Sequence, residues 1–140
     1  MAVCELISVG TEILLGDILN TDAQFLSIEL ARLGISVIHQ STVGDNRERL
    51  LAQLKEAADR SDIIILSGGL GPTPDDLTKE VCCEFFGKKM FLHEPTVEKI
   101  KTYFSTKGME MAQNNLKQAM LPKDCVIFPN DNGTAPGMAI

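Results

Sequence analysis

The sequence predicts an α/β fold in three layers, in which a doubly wound, mainly parallel sheet is covered by helices on both faces. Strand-like and helix-like segments alternate through the first half of the chain, as they do in β-α-β-α-β units. Four consecutive apolar residues at 63–66 show no alternation, which is typical of a strand covered on both faces. The 140 residues, 44% of them hydrophobic, suit a single domain over 1–140 with one core.

The first strand and the first helix are marked at both ends. Apolar and β-branched residues predict a strand at Cys4–Val9, and Gly10 allows a sharp turn after it. Thr21–Gln24 has the spacing of a capping box. Leucines 26, 30 and 33 then fall on one helical face until Gly34 ends the helix.

The next three elements repeat this pattern. The sequence predicts a strand at Ile35–Val43, a helix capped by Asp45–Glu48 with leucines 50, 51 and 54 on one face, and a strand at Asp62–Ser67. Right-handed connections bring the loops that follow these strands to one edge of the sheet, which is where α/β folds bind ligands.

The second half of the chain is predicted to be more helical. Helices are predicted at Leu77–Phe86, from Pro95 to near Gly108, and at Gln113–Met120, with a short strand at Val126–Phe128. Met138–Ile140 follows a dense turn segment and has the composition of another strand opening. We therefore expect the domain to be truncated at its C-terminal end, without its last strand or strands.

The charge balance favours a small ligand that is held locally. Thirteen Lys and Arg against nineteen Asp and Glu give a net charge of −6, which disfavours nucleic acid because that affinity depends on cations displacing counterions. An anionic ligand would have to be held by backbone amides or a metal ion.

The remaining sequence signals indicate the cytoplasm. The four cysteines lack C-x-x-C spacing, so reduced thiols are expected rather than a zinc site or disulfides. No basic residue precedes Arg32, and no apolar run reaches the roughly 18 residues of a bilayer span. Neither a secretory signal nor a membrane partner is expected.

The strongest candidate site is the glycine-rich segment Ser67–Gly71. Glycines permit positive φ and leave no β-carbon in the way of a phosphate, and the helix that follows offers free N–H groups. The segment is neither a Walker loop nor a G-x-G-x-x-G motif. Thr73–Asp76, which follows, could simply cap the helix, or its acids could hold a divalent cation against a phosphate.

Two further loops are expected at the same edge of the sheet. The loop after the first strand offers Thr11, Glu12 and Asn20 to the hydroxyls of a ligand or to an ion. In the loop after the second strand, Asp45 could cap the next helix or bind a ligand. If the winding is right, all three loops lie together.

Four runs of this sequence match a known family in order and spacing. They are GTEILLGDILNTDAQFLSIELARLGI, VGDNRERL, SGGLGPTPDDLTKE and NDNGTAPGMAI. They resemble the N-terminal domain of the competence- and damage-inducible CinA proteins, which belongs to the molybdopterin-binding MoaB/MogA-like superfamily. The resemblance covers nearly the whole chain.

The resemblance implies a doubly wound α/β/α domain that hydrolyses ADP-ribose at its pyrophosphate in a metal-dependent reaction. Many CinA proteins carry a separate C-terminal domain that deamidates nicotinamide mononucleotide, and we expect that amidohydrolase domain to be absent here. Related molybdenum-cofactor proteins bind or adenylylate molybdopterin through a T-G-G-T-G loop and a following Asp-Val-Thr. Ser67–Gly71 and Asp76–Thr78 match those positions, and Asp45 falls where the relatives carry another important acid. Relatives form dimers or trimers, which implies a homo-oligomer.

Three functions follow from these observations. The leading hypothesis is hydrolysis of ADP-ribose or a similar nucleotide pyrophosphate with Mg²⁺ or a similar divalent ion. The alternatives are molybdopterin binding or adenylylation, and a non-enzymatic oligomerising module with a vestigial pocket. In the leading hypothesis Asp45 and Asp76 hold the ion, and Glu12 orients or deprotonates the attacking water. The residues expected to contact the ligand are Gly10, Thr11, Asn20, Asn46, Ser67, Gly68, Gly69, Gly71 and Thr78.

Overall fold

The central sheet has three parallel strands. In the computed structural model, which describes residues 1–140, β1 (Val3–Val9) lies between β2 (Ser36–Val43) and β3 (Ile63–Ser67). Both neighbours run parallel to β1, so the carboxyl ends of all three strands meet at one edge. The predicted strands and their parallel order are confirmed.

Helices cover both faces of this sheet. The helices of the chain are α1 (Thr11–Leu14), α2 (Thr21–Arg32), α3 (Arg47–Arg60), α4 (Thr78–Phe85) and α5 (Glu94–Thr106), with a 3₁₀ helix at Gln113–Ala119. α2 covers one face of the sheet and α3 and α4 cover the other, whereas α5 packs with the 3₁₀ helix in a separate cluster. Cys4 and Leu6 of β1 pack with Leu30 of α2 on one face. Ile7 packs with Leu54 of α3 on the other face. The structure therefore has the three layers that the alternation of strands and helices predicts.

Two small antiparallel sheets follow in the second half. β4 (Met90–Leu92) pairs with β5 (Met120–Pro122), and β6 (Val126–Phe128) pairs with β7 (Gly137–Ala139). The strand prediction for β6 and the strand-like composition before Ile140 are confirmed. β4 and β5 were not predicted, because a three-residue strand depends on a distant partner more than on its own pattern.

The starts of three helices differ from the prediction. The side chain of Asn20, not Thr21, accepts the capping bond of α2 from Ala23 N. Asn46, not Asp45, caps α3. α4 begins at Thr78 without a side-chain cap, so the interpretation of residues 73–76 as its cap is wrong. Thr21, Asp45 and Asp76 are residue types that commonly cap helices. In this structure Asp45 is bonded to Thr11, Asp76 is bonded to Thr73, and the Thr21 hydroxyl makes no cap.

The predicted coverage of the third strand on both faces is confirmed. Ile64 and Leu66 pack against the cluster of Ile7 and Leu54, and Ile63 and Ile65 pack against the cluster of Cys4 and Leu6. The strand is half-buried and not fully buried, because β3 lies at the edge of the three-stranded sheet. β1, which is the central strand, is buried from Cys4 to Val9.

One ion pair with a buried carboxylate and a partly exposed arginine joins β1 to α3. Glu5 is fully buried, and its carboxylate accepts hydrogen bonds from Arg60 at 2.9 Å and from Gln53 at 3.0 Å. The bond from Arg60 is the main reason why the pKa of Glu5 lies below its usual value, despite the opposing effect of burial. Glu5 is therefore a structural acid of the core.

None of the helices combines the length and the apolar character needed to cross a membrane.

Candidate functional site

The loops after β1 and β2 are bonded to each other at the carboxyl edge of the sheet. The amide of Gly10 donates to the Val43 carbonyl at 2.9 Å. The amide and the hydroxyl of Thr11 donate to Asp45 Oδ2 at 3.0 and 2.8 Å. The amide of Asp45 donates back to Thr11 Oγ1 at 3.1 Å. The hydrogen bonds between Thr11 and Asp45 thus hold the two loops together, at the edge of the sheet where both loops were predicted to lie.

The glycine-rich loop packs directly against the end of β1. Gly68 has φ +88°, and a β-carbon there would overlap the carbonyl oxygen of Val9, with the carbonyl carbon at 3.1 Å. Gly69 has φ +65°, and a β-carbon there would overlap the hydroxyl of Thr78. Both positions therefore require glycine. The third loop is in contact with the exit of the first strand, as predicted.

Thr78 fixes the glycine loop to the start of α4. Its hydroxyl donates to the Gly68 carbonyl at 2.7 Å, and its amide donates to the Gly69 carbonyl at 3.2 Å. The residue is buried. Its hydroxyl proton is therefore used by the loop, and only the oxygen's acceptor capacity remains for a ligand.

Three consecutive amides of the loop have no acceptor in the protein. The N–H groups of Gly68, Gly69 and Leu70 make neither a backbone nor a side-chain hydrogen bond, although Gly69 and Leu70 are half-buried. Successive free amides beside residues with positive φ form a concavity suited to an anion. This arrangement can bind phosphate oxygens.

Asp76 lies beside this loop in a ring of hydrogen bonds. Its Oδ2 accepts from the Thr73 amide at 2.9 Å and from the Thr73 hydroxyl at 2.6 Å. A β-carbon at Gly71 would lie 2.5 Å from the same oxygen. Burial raises the pKa of Asp76, but the bonds from Thr73 and Gly71 and the charge of Lys117 outweigh it, so the net pKa is lowered. The carboxylate is ionised at neutral pH.

The other predicted site residues occupy three kinds of place. Glu12 is exposed, makes no side-chain hydrogen bond, and folds back so that a β-carbon at Gly10 would lie 2.7 Å from its Oε1. Both polar atoms of Asn20 are used, by Ser8 and by the cap of α2. Asn46 caps α3, and Ser67 ends β3 opposite Ser8.

The protein alone offers no preformed metal cage. No group of three or more His, Cys, Asp or Glu side chains is placed to hold an ion. Asp45 accepts the bonds from Thr11 through Oδ2, and Asp76 accepts the bonds from Thr73 through Oδ2. Mg²⁺ commonly takes one or two carboxylates and completes its shell with water and substrate phosphates, a mode of binding that needs no preformed cage.

Two cavities of the protein lie away from the glycine loop. One of about 600 Å³ runs along the outer edge of β2 beside α2, and one of about 260 Å³ lies near Lys88, Phe91 and Cys125. Neither is lined by residues 67–78. The candidate site at the sheet edge is therefore defined by its free amide donors and its acids.

Two lysines near the site were not predicted. Lys117 Nζ donates to the Thr73 carbonyl at 2.6 Å and to the Asp76 carbonyl. Lys79 is buried, and its Nζ donates to the Lys117 carbonyl at 2.8 Å. Lys117 is 41 residues from Asp76 in the chain, so no local spacing could have paired them.

Comparison with protein families identifies one match over almost the whole chain. The family described as Probable molybdopterin binding domain matches residues 5–140. A relative from Clostridioides difficile, named as a competence-damage inducible protein, is 59% identical over 133 residues. Those residues are 95% of this chain but 32% of that protein. The chain therefore spans about a third of the length of the curated relatives that it matches.

Solved structures show the same fold. The protein CinA from Thermoplasma acidophilum matches with a TM-score of 0.86 at 33% identity, over 97% of this chain and 80% of that one. MoaB from Pyrococcus furiosus, described as a tungsten cofactor synthesizing protein, matches with a TM-score of 0.62 at 19% identity, over 99% of this chain and 80% of that one. The second likeness shows the fold alone.

Proposed function

Because the chain belongs to the CinA family, within the molybdopterin-binding-type domains of MoaB/MogA fold, we propose that it hydrolyses a nucleotide pyrophosphate such as ADP-ribose with a divalent metal ion. The glycine loop would bind the diphosphate. Asp45 and Asp76 would each contribute a carboxylate to an ion that the phosphates share. CinA proteins, which this chain resembles in sequence, supply the substrate class.

The observation that supports this proposal most is the set of free amides at Gly68, Gly69 and Leu70. Buried or half-buried N–H groups without an acceptor are destabilising unless water or a ligand accepts from them. Gly69 and Leu70 are half-buried, and with the exposed Gly68 they present three such amides in succession, beside a strand end that tolerates no β-carbon at Gly68. Successive free amides of this kind suit an anion such as a phosphate.

The negative charge of Asp76 explains why an ion is part of the proposal. Asp76 adjoins the loop, and its lowered pKa keeps it negative, so it would repel a diphosphate across a short distance. A divalent cation between them converts this repulsion into coordination and polarises the phosphoryl group. The net charge of −6 is compatible with this scheme because the attraction is local.

The hydrolytic step needs a water and a proton acceptor. The water oxygen forms a bond to one phosphorus, and the P–O bond to the bridging oxygen breaks, so that the two products are AMP and ribose 5-phosphate. The carboxylate of Glu12 is exposed at the exit of β1 and has no competing hydrogen bond, so it is our candidate acceptor for the water's proton. Thr11 acts on Asp45, whose orientation it fixes.

The test is the formation of AMP from ADP-ribose, with Mg²⁺ or Mn²⁺, separated by ion-exchange chromatography. Asp76→Asn is expected to lower the rate at least 100-fold. Asp75→Asn is the matched control, because Asp75 is the adjacent exposed acid and makes no hydrogen bond or ion pair. Absence of AMP from this chain, and from a longer chain that continues beyond Ile140, would refute the hydrolase proposal.

Molybdopterin chemistry is the second candidate, because the matching family is described as Probable molybdopterin binding domain. The same free amides would then bind the phosphate of the pterin. Pterin fluorescence that co-purifies with the protein, or ATP-dependent transfer of AMP to molybdopterin, would favour this candidate. In that case Asp76→Asn should abolish the transfer of AMP to molybdopterin but leave pterin binding measurable. The unchanged protein should not hydrolyse ADP-ribose.

A further inference from the structure

The segment that carries Asp76 has no regular structure of its own. Residues 71–75 are bends and a turn, and residues 76–77 are irregular chain that leads into α4. Two residues of the segment are prolines, which donate no backbone hydrogen bond. Inside the segment, the Asp76 amide donates to the Thr73 carbonyl at 3.2 Å, and the Asp76 carboxylate accepts from Thr73. These bonds close the turn on itself but do not attach it to the rest of the protein.

The attachment comes from Lys117, in the 3₁₀ helix. Its ammonium donates to both ends of the turn, to the Thr73 carbonyl at 2.6 Å and to the Asp76 carbonyl. Glu80 lies 3.8 Å away, so part of the charge is balanced. About a quarter of the Lys117 side chain is exposed, which is little for a lysine that has no buried acid as a partner.

A second lysine fixes the 3₁₀ helix in return. Lys79, in the first turn of α4, is 6% exposed, and its Nζ donates to the Lys117 carbonyl at 2.8 Å and to the Gln118 carbonyl at 3.4 Å. The preceding residue, Thr78, holds the glycine loop. The loop, α4, the 3₁₀ helix and the turn of Asp76 therefore form a closed ring of contacts that two lysines complete.

We propose that Lys117 is a positioning residue of the candidate site, which holds the 73–76 turn so that the Asp76 carboxylate stays beside the glycine loop. It acts through Asp76 and does not touch the ligand. The link to ligand affinity rests on the proposed function, whereas the effect on the turn does not. An ammonium suits this task because it can donate to two converging carbonyls at once.

The test compares Lys117→Met with the unchanged protein in two measurements. One is amide hydrogen exchange, and the other is the affinity for ADP-ribose, measured by calorimetric titration of the protein in the presence of Mg²⁺. Methionine keeps the length and removes the donors. Exchange at Thr73 and Asp76 is expected to rise roughly 10- to 100-fold, as for the loss of hydrogen bonds from a charged donor. Exchange in α2 should not change. Lys99→Met is the control, since Lys99 is an exposed lysine that pairs with Asp131.

For binding, Lys117→Met is expected to weaken the affinity roughly 10-fold or more, and Lys117→Arg to recover part of that loss because it retains donors. The double variant with Asp76→Asn should bind no more weakly than Asp76→Asn alone. Additive losses would overturn the proposal, because Lys117 would then act independently of Asp76.

The remaining outcomes separate this proposal from the function. Unchanged exchange at Thr73 and Asp76 in Lys117→Met overturns the positioning role, whatever the protein binds. Faster exchange together with unaltered ADP-ribose affinity also overturns it. Faster exchange in a protein whose unchanged form binds no ADP-ribose supports the positioning of the turn and refutes the proposed substrate.

Discussion

Gly68→Ala is expected to destabilise the fold much more than an alanine at another glycine with the same backbone conformation. Gly68 has φ +88°, and Gly16 has φ +82° with nothing within 4 Å of an added β-carbon. Positive φ costs an L-residue about 1–2 kcal/mol, and alanine returns about 0.4–1 kcal/mol by restricting the unfolded chain. Gly16→Ala should therefore lower the free energy of unfolding by about 0–1.5 kcal/mol.

At Gly68 the added carbon also overlaps the Val9 carbonyl, which is backbone of the central buried strand and cannot rotate away. Forcing such an overlap typically costs about 1–3 kcal/mol more. The free energy of unfolding should then fall by about 1–4.5 kcal/mol, measured by urea denaturation followed by circular dichroism. If Gly68→Ala and Gly16→Ala agree within about 0.5 kcal/mol, the packing of the loop against β1 is not as described. Gly34→Ala, at φ +75° in open space, repeats the control.

Three further outcomes follow from the contacts of single side chains. Thr78→Val should cost about 1 kcal/mol of stability and raise amide exchange across the glycine loop, because the Gly68 carbonyl loses its donor. Asn46→Ala should lower the free energy of unfolding by about 1 kcal/mol through loss of the α3 cap, with helicity reported by circular dichroism; Asp45→Ala leaves that cap intact. The pKa of Glu5 is lowered in the folded protein, so its contribution to stability is present above about pH 4.5 and is lost as the pH falls below that. Glu5→Gln should flatten the stability profile in this acidic range in urea titrations at stepped pH.

The fold could be predicted because its signals are local. The apolar run at 63–66 and the glycines that follow β1, β2, β3, α2, α4 and α5 report directly on backbone conformation. β4 and β5 carry no such signal. Each has three residues, and α5 and the 3₁₀ helix separate β4 from its partner in the chain. Pairing at that distance depends on tertiary packing, which overrides the propensity of so short a segment.

The site could be predicted in part for the same reason. The meeting of the three loops follows from parallel strands, and Gly68 and Asp45 lie where that argument places them. The partner of Asp45 could not be inferred, because Thr11 and Asp45 lie in different loops and no sequence spacing relates them. No sequence pattern indicates the role of Lys117, because its contact with Thr73 depends on where the 3₁₀ helix packs.

The proposed anion contacts explain why side-chain patterns reveal so little of this site. The donors that support the proposal are main-chain amides, which every non-proline residue possesses. What distinguishes Gly68–Leu70 is that the backbone turns away from all internal acceptors, and it can do so only because Gly68 and Gly69 lack β-carbons that would overlap Val9 and Thr78. A substitution there cannot remove an amide without moving the loop. Stability and phosphate binding should therefore fall together at Gly68, whereas at Asp76, whose contacts lie in an exposed turn, binding should fall further than stability.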